Sequence, residues 1–166
     1  LIPHMGAIWI RQGLDRYIID NFHSIAEVGL FSFALNLVNI IIILGSSFNN
    51  VFSVEIYQTL SSNLKSEVKK LYLASKSKKI AIVFAGATLL VVLGCFFFIP
   101  VFLPAYKDAI PYFCILSLYG FVQCLYFLVV NYLFYYKKNK EIMYTTFGTS
   151  ILHLALSLFL TRYSLY

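Results

Sequence analysis

Two arginines and an aspartate stand in an otherwise apolar segment at the start of this chain. They are the residues best placed to do chemistry. His4, Arg11 and Asp15 fall within about 40° of one another at roughly 100° per helical residue. Gln12 and Arg16 form the adjoining row, and Arg11 and Asp15 have the four-residue spacing of an intrahelical ion pair. A lone arginine at the middle of a bilayer costs at least about 2.5 kcal/mol. Two of them against one close carboxylate leave positive charge that something must answer. Two answers are open. The excess charge attracts an anionic substrate crossing the membrane, or Arg11 pairs with Asp15 while Arg16 snorkels outward or pairs with Asp20.

A second polar row lies on the next apolar segment. Ser32, Asn36, Asn39, Ser46 and Asn50 share about 80° of helical arc. An asparagine amide inside a membrane either bonds a neighbouring helix or lines a wet cavity. Asn36 and Asn39 therefore join Arg11, Asp15 and Arg16 as candidate substrate-binding residues. The last apolar segment has its own row: Thr146, Thr149, Ser150, His153 and Ser157. Hydroxyls there can return to their own helix's carbonyls, and His153 reads as an interior histidine satisfied by a neighbour. Glu55, just past the second segment, reads as a solvated boundary residue.

None of these sets has the form of a catalytic centre. The sequence has no G-x-S-x-G, no glycine loop for phosphate and no metal-ligand spacing of His, Cys and carboxylate. No catalytic residue, metal or cofactor is expected. Asp15 and Asp20 lie on different faces of their helix. Cys95, Cys114 and Cys124 sit in apolar stretches and read as small buried thiols. The expected work is binding and passage without covalent chemistry.

The elements that position these rows are membrane helices. Of the 166 residues 60% are hydrophobic and 12% charged, and the mean hydropathy is +0.80. Four stretches, 28–54, 80–103, 109–136 and 142–161, run without charge but for Lys107 and Asp108 between two of them, each long enough for the ~20 residues a bilayer core requires. A fifth span, about 2–19, carries the arginines. The reading is an all-α membrane protein, a single polytopic bundle of five spans over residues 1–166.

Lysines set its orientation. Lys65, Lys69, Lys70, Lys76, Lys78 and Lys79 fall between the second and third spans, and Lys137, Lys138 and Lys140 between the fourth and fifth. Basic connections stay in the cytoplasm, and these two are two spans apart, so they share a side. Residues 58–79 read as a long cytoplasmic loop, partly an amphipathic helix on the membrane surface. The net charge of +6 is a topology signal and points to anionic lipid headgroups, with no nucleic-acid partner.

Several short motifs, in order, resemble a known family. Leu1-Ile2-Pro3-His4 is followed by Leu14-Asp15-Arg16-Tyr17-Ile18-Ile19 and Glu27-Val28-Gly29-Leu30-Phe31-Ser32. Phe102-Leu103-Pro104-Ala105-Tyr106-Lys107-Asp108-Ala109 stands at the outer turn, and Lys137-Lys138-Asn139-Lys140 before the last span. In order and spacing these resemble the second half of Wzx-type flippases of O-antigen and capsule repeat units, within the multidrug/oligosaccharidyl-lipid/polysaccharide exporter superfamily. The resemblance implies a bacterial inner-membrane protein with two six-helix lobes around a cationic cavity. It implies that lipid-linked oligosaccharide diphosphate is moved to the outer leaflet by alternating access.

The five spans would be the seventh to eleventh, with Arg11 and Arg16 attracting the diphosphate and Asp15 orienting them. The second lobe would then be incomplete and the remainder of the transporter a partner. The chain departs from the family at Leu152-His153-Leu154-Ala155-Leu156, where an Asn-rich segment and an I-P-x-Y-G turn are usual. Two other functions stay open: a small-solute or drug exporter of the same superfamily, which would need acidic cavity residues, and an integral membrane polysaccharide polymerase or ligase. The latter would need a large outer loop, where this chain has short ones.

Overall fold

The computed structural model describes residues 13–163, and every regular element among them is helical. Residues 13–22 form the described part of α1. Then come α2 (Ile25–Ser61), α3 (Ser66–Phe102), a 3₁₀ turn over Pro104–Ala109, α4 (Ile110–Tyr135) and α5 (Asn139–Tyr163). Four of these helices are long and apolar enough to cross a membrane, the mark of a multi-pass membrane protein. Most of the first expected span lies outside the described residues.

Lipid, not water, suits the outer faces. Only 11% of the most apolar window of α3 is buried inside the protein, and 22% of that of α2. Leu90 is 73% exposed, Phe97 68% and Ile115 70%. A soluble protein rarely leaves apolar faces of this extent bare, whereas a bilayer accepts them at no cost.

The structure bears out helix within the expected loop over 58–79 and extends it, leaving a much shorter connection. Helices α2 and α3 each run 37 residues, with only residues 62–65 between them. At 1.5 Å per residue each is about 55 Å long, well beyond a hydrocarbon core of about 30 Å. The charge-free stretches stop at Val54 and resume at Ile80, so the surplus length projects from the lysine-rich side as a helical hairpin.

Local chemistry ends α2 there. Ser61 Oγ donates to the carbonyl of Tyr57 and Ser62 Oγ to that of Thr59, both at 2.7 Å. Lys69 Nζ reaches back to the carbonyl of Leu60 at 2.7 Å. Two of the carbonyls that a helix end leaves free, those of Thr59 and Leu60, are thus taken up. Glu55 then braces the hairpin: its Oε1 accepts from Tyr72 Oη at 2.6 Å and from Lys76 Nζ. Glu55 stays partly exposed to solvent at the boundary, as the sequence suggests, and has two partners there that the sequence does not show. The lysine's hydrogen bond, and after it the tyrosine's, hold the Glu55 carboxyl below the usual carboxylate range. Both partners lie outside the charge-free stretches.

Contacts gather the chain into two compact units, Leu1–Ser32 with Lys137–Tyr166, and Phe33–Tyr136. In the latter, α2 buries Ala34, Val38, Ile41, Gly45, Phe52 and Ile56, all within about 60° of arc. That face meets the face of α4 that carries Gly120 and Cys124. A methyl on Gly45 would run into Cys124 Sγ, and one on Gly120 would lie 2.9 Å from Val38 Cγ1. Small residues are what let membrane helices approach this closely. Helix α3 joins at Phe84 and Leu73. Its Thr88 Oγ1 is buried with no hydrogen-bond partner among the described residues, beside an apolar cavity of about 220 Å³.

Two turns are built by sequence-local means. Pro104 opens the 3₁₀ turn and Pro111 stands in the first turn of α4, positions where a missing N–H leaves nothing unpaired. Just after α4, Lys137 has a φ of 56°, the left-handed conformation that commonly ends a helix.

Candidate functional site

In the unit formed by the two ends of the chain, Asp15 is the organising side chain. His153 and Ser157 are four apart on α5 and so share a face. Ser157 Oγ donates to Asp15 Oδ1 at 2.9 Å. His153 Nε2 lies 3.1 and 3.2 Å from the two Asp15 oxygens, so with Nε2 protonated it donates to the carboxylate. One turn further along α5, the carbonyl of Thr161 lies 3.2 Å from His23 Nε2. Residue numbers rise together along the two helices, so α1 and α5 run parallel.

The start of α2 in this unit is fixed by a capping box. Ser24 Oγ accepts from the Glu27 N–H at 3.3 Å, and Glu27 Oε2 accepts from the Ser24 N–H at 3.2 Å, satisfying two donors reciprocally. Glu27 also lies 3.4 Å from His23 Nδ1. His23 thereby links the α1–α2 turn to α5.

Ser, His and Asp together invite comparison with a nucleophilic triad, and the geometry rejects it. In a triad the imidazole sits between hydroxyl and carboxylate and takes the hydroxyl's proton. Here both His153 and Ser157 address the carboxylate. Ser157 is held as a donor and is not activated; the cluster ties α1 to α5 through Asp15.

That arrangement changes the reading of the candidate residues. Arg11, with His4 and Gln12, lies outside the described residues. Asp15 engages α5. Arg16, its neighbour in sequence, is exposed and has no carboxylate at ion-pair distance among the described residues, Asp20 included. The sequence alternative in which Arg16 pairs with Asp20 is therefore not what is found.

Asn36 and Asn39 belong to the other unit. Asn36 is exposed and Asn39 half-buried; neither makes a side-chain hydrogen bond among the described residues. Their row is turned at least about 80° from the edge of the buried face of α2. The amide that does bridge helices is one that the polar-row reading passes over. Asn131 Nδ2 donates to Asn49 Oδ1 at 2.7 Å and to the carbonyl of Phe127 at 2.9 Å, and Asn131 is buried. Asn49 falls at about the same angle as Val38, Gly45 and Ile56, and a polar residue within an apolar face is the signal that finds it.

Hydroxyls elsewhere behave as their positions suggest. Thr146 Oγ1 donates to the Ile142 carbonyl at 2.7 Å, and Ser150 Oγ to that of Thr146 at 2.8 Å. On α2, Ser46 and Ser47 both return to Ile43 at 2.9 Å. Among the described residues no group of three or more His, Cys, Asp and Glu is gathered as a metal site would need. No protein-family model, curated protein or solved structure matches this chain.

Proposed function

We propose that this chain is part of a flippase of the bacterial inner membrane that carries polyprenyl-diphosphate-linked oligosaccharide repeat units from the cytoplasmic to the outer leaflet. In this reading α1 is a fifth span, and the protein works by alternating access without covalent chemistry. One observation carries it: Asp15 is engaged by His153 and Ser157, while Arg16 beside it has no carboxylate partner among the described residues. A guanidinium at membrane depth without a carboxylate is an expensive feature, and it suits a site that meets a passing diphosphate through bidentate, charge-assisted hydrogen bonds. An exporter of cationic solutes would need the reverse, a free carboxylate beside engaged arginines.

Arg16→Ala and Arg11→Ala, introduced into the intact transporter in cells, test this. Surface polysaccharide should fall at least about tenfold at unchanged protein level, the order of effect expected when a charged hydrogen-bond partner of a buried anion is removed. Normal surface polysaccharide at normal protein level would sink the assignment.

A further inference from the structure

The lysine-rich end of the Phe33–Tyr136 unit carries an open groove of about 440 Å³ between the end of α2, the first turns of α3 and the end of α4. Its walls are of two kinds. Leu60, Leu64 and Leu73 with the Tyr132 ring make an apolar side, and Lys69 and Lys70 stand at its polar side. Lys69 is half-buried and spends one N–H on the Leu60 carbonyl, which leaves two donors of its ammonium. Lys70 lies 3.3 Å from Glu67, but both side chains are more than 70% exposed, so water and salt weaken that pair. The other acid at this end, Glu55, is held by Lys76 and Tyr72. Across the hairpin six lysines face two glutamates, an excess of four positive charges.

The groove also lies beside the end of the apolar stretch of α4. Tyr132 and Tyr136 close the charge-free stretch of α4, where aromatic side chains mark the membrane boundary. Leu60 is six residues past Val54, about 9 Å along the helix, at the outer edge of a headgroup layer of roughly 5–8 Å on each side. Its volume lies within the usual range of small-molecule sites, roughly 300–1,000 Å³.

We infer that this groove binds an anionic phospholipid of the leaflet at the lysine-rich end, with its phosphate on Lys69 and Lys70 and the start of an acyl chain over Leu60, Leu64 and Leu73. A zwitterionic headgroup would bring its own ammonium against the lysines and bind less well. The site is independent of the transport reading.

Quenching by brominated lipid tests it. The native tryptophan is removed (Trp9→Phe) and a reporter placed at the rim of the groove (Tyr136→Trp), with the protein reconstituted in nanodiscs. Brominated phosphatidylglycerol should associate at least about fivefold more strongly than brominated phosphatidylcholine, roughly one lysine's contribution near an anionic surface. Lys69→Gln with Lys70→Gln should bring that ratio to about one. Lys69→Arg with Lys70→Arg should preserve it, as should Lys78→Gln with Lys79→Gln. Should the double glutamine variant lose helix content, Lys70→Gln alone must lower the ratio by half or more. A ratio near one in the parent, a ratio unmoved by Lys69→Gln with Lys70→Gln, or displacement of the lipid by millimolar inorganic phosphate would each overturn the proposal.

Discussion

Asp15 and Arg16 are adjacent in the chain and have opposite environments. The carboxylate receives hydrogen bonds from His153 and Ser157 on a helix 138 and 142 residues away in sequence, whereas the guanidinium is exposed. Their substitutions should therefore separate stability from function. Asp15→Ala leaves an imidazole and a hydroxyl without their acceptor and should cost about 1–3 kcal/mol, read as a lower unfolding temperature in nanodiscs. Asp15→Asn keeps an acceptor and should lose less. Arg16→Ala should leave stability within about 0.5 kcal/mol while transport fails. Equal destabilisation by Arg16→Ala and Asp15→Ala would make Arg16 a structural residue. The Arg–Asp–Arg cluster is legible in the sequence, but the partners of Asp15 are not, because no local pattern links residues so far apart. Asn49 shows the converse. It is legible in principle, as the amide on the apolar face, but helical arithmetic that gathers polar residues into rows passes over it.

Among the elements, the projecting α2–α3 hairpin departs furthest from expectation. Lysines and serines over 58–79 read as a loop, only partly helical, because charge ends an apolar run, yet Lys, Glu and Gln are good helix formers. The two helices of the hairpin are paired, above all through Glu55 with Tyr72 and Lys76. This brace should respond to acid. The Glu55 carboxyl titrates lower in the folded protein than in the unfolded chain, chiefly because of the lysine's hydrogen bond. Its contribution is therefore present above the unfolded carboxylate value, about 4.3, and is lost as pH falls through the lower folded one. The stability gap between the parent and Glu55→Gln should be open at pH 7, at no more than about 1 kcal/mol for a pair this exposed. It should close on acidification below pH 4. Thermal unfolding of both proteins across that range measures it, and a gap that widens in acid would contradict the brace.

At the scale of the whole molecule, alternating basic and non-basic connections predict an orientation. The turns at 62–65 and 136–138 should face the cytoplasm, and the 3₁₀ turn at Pro104–Ala109 the outside. Single cysteines at Asn63 and Asp108, in a background where Cys95, Cys114 and Cys124 are replaced by Ala, check this in intact cells. An impermeant maleimide should label the cysteine at position 108 and spare the one at 63. The reverse pattern would invert the topology. The sequence alone determined the apolar lengths and the helical class, because each follows from the transfer cost of groups along one stretch of chain. Only the tertiary structure decided which polar group meets which: Asp15 with α5, Asn131 with Asn49, Glu55 with Lys76, and two leucine-lined lysines in one groove. Such pairings depend on the angle and register at which helices meet, and small residues such as Gly45 and Gly120 set these through packing that no single segment encodes.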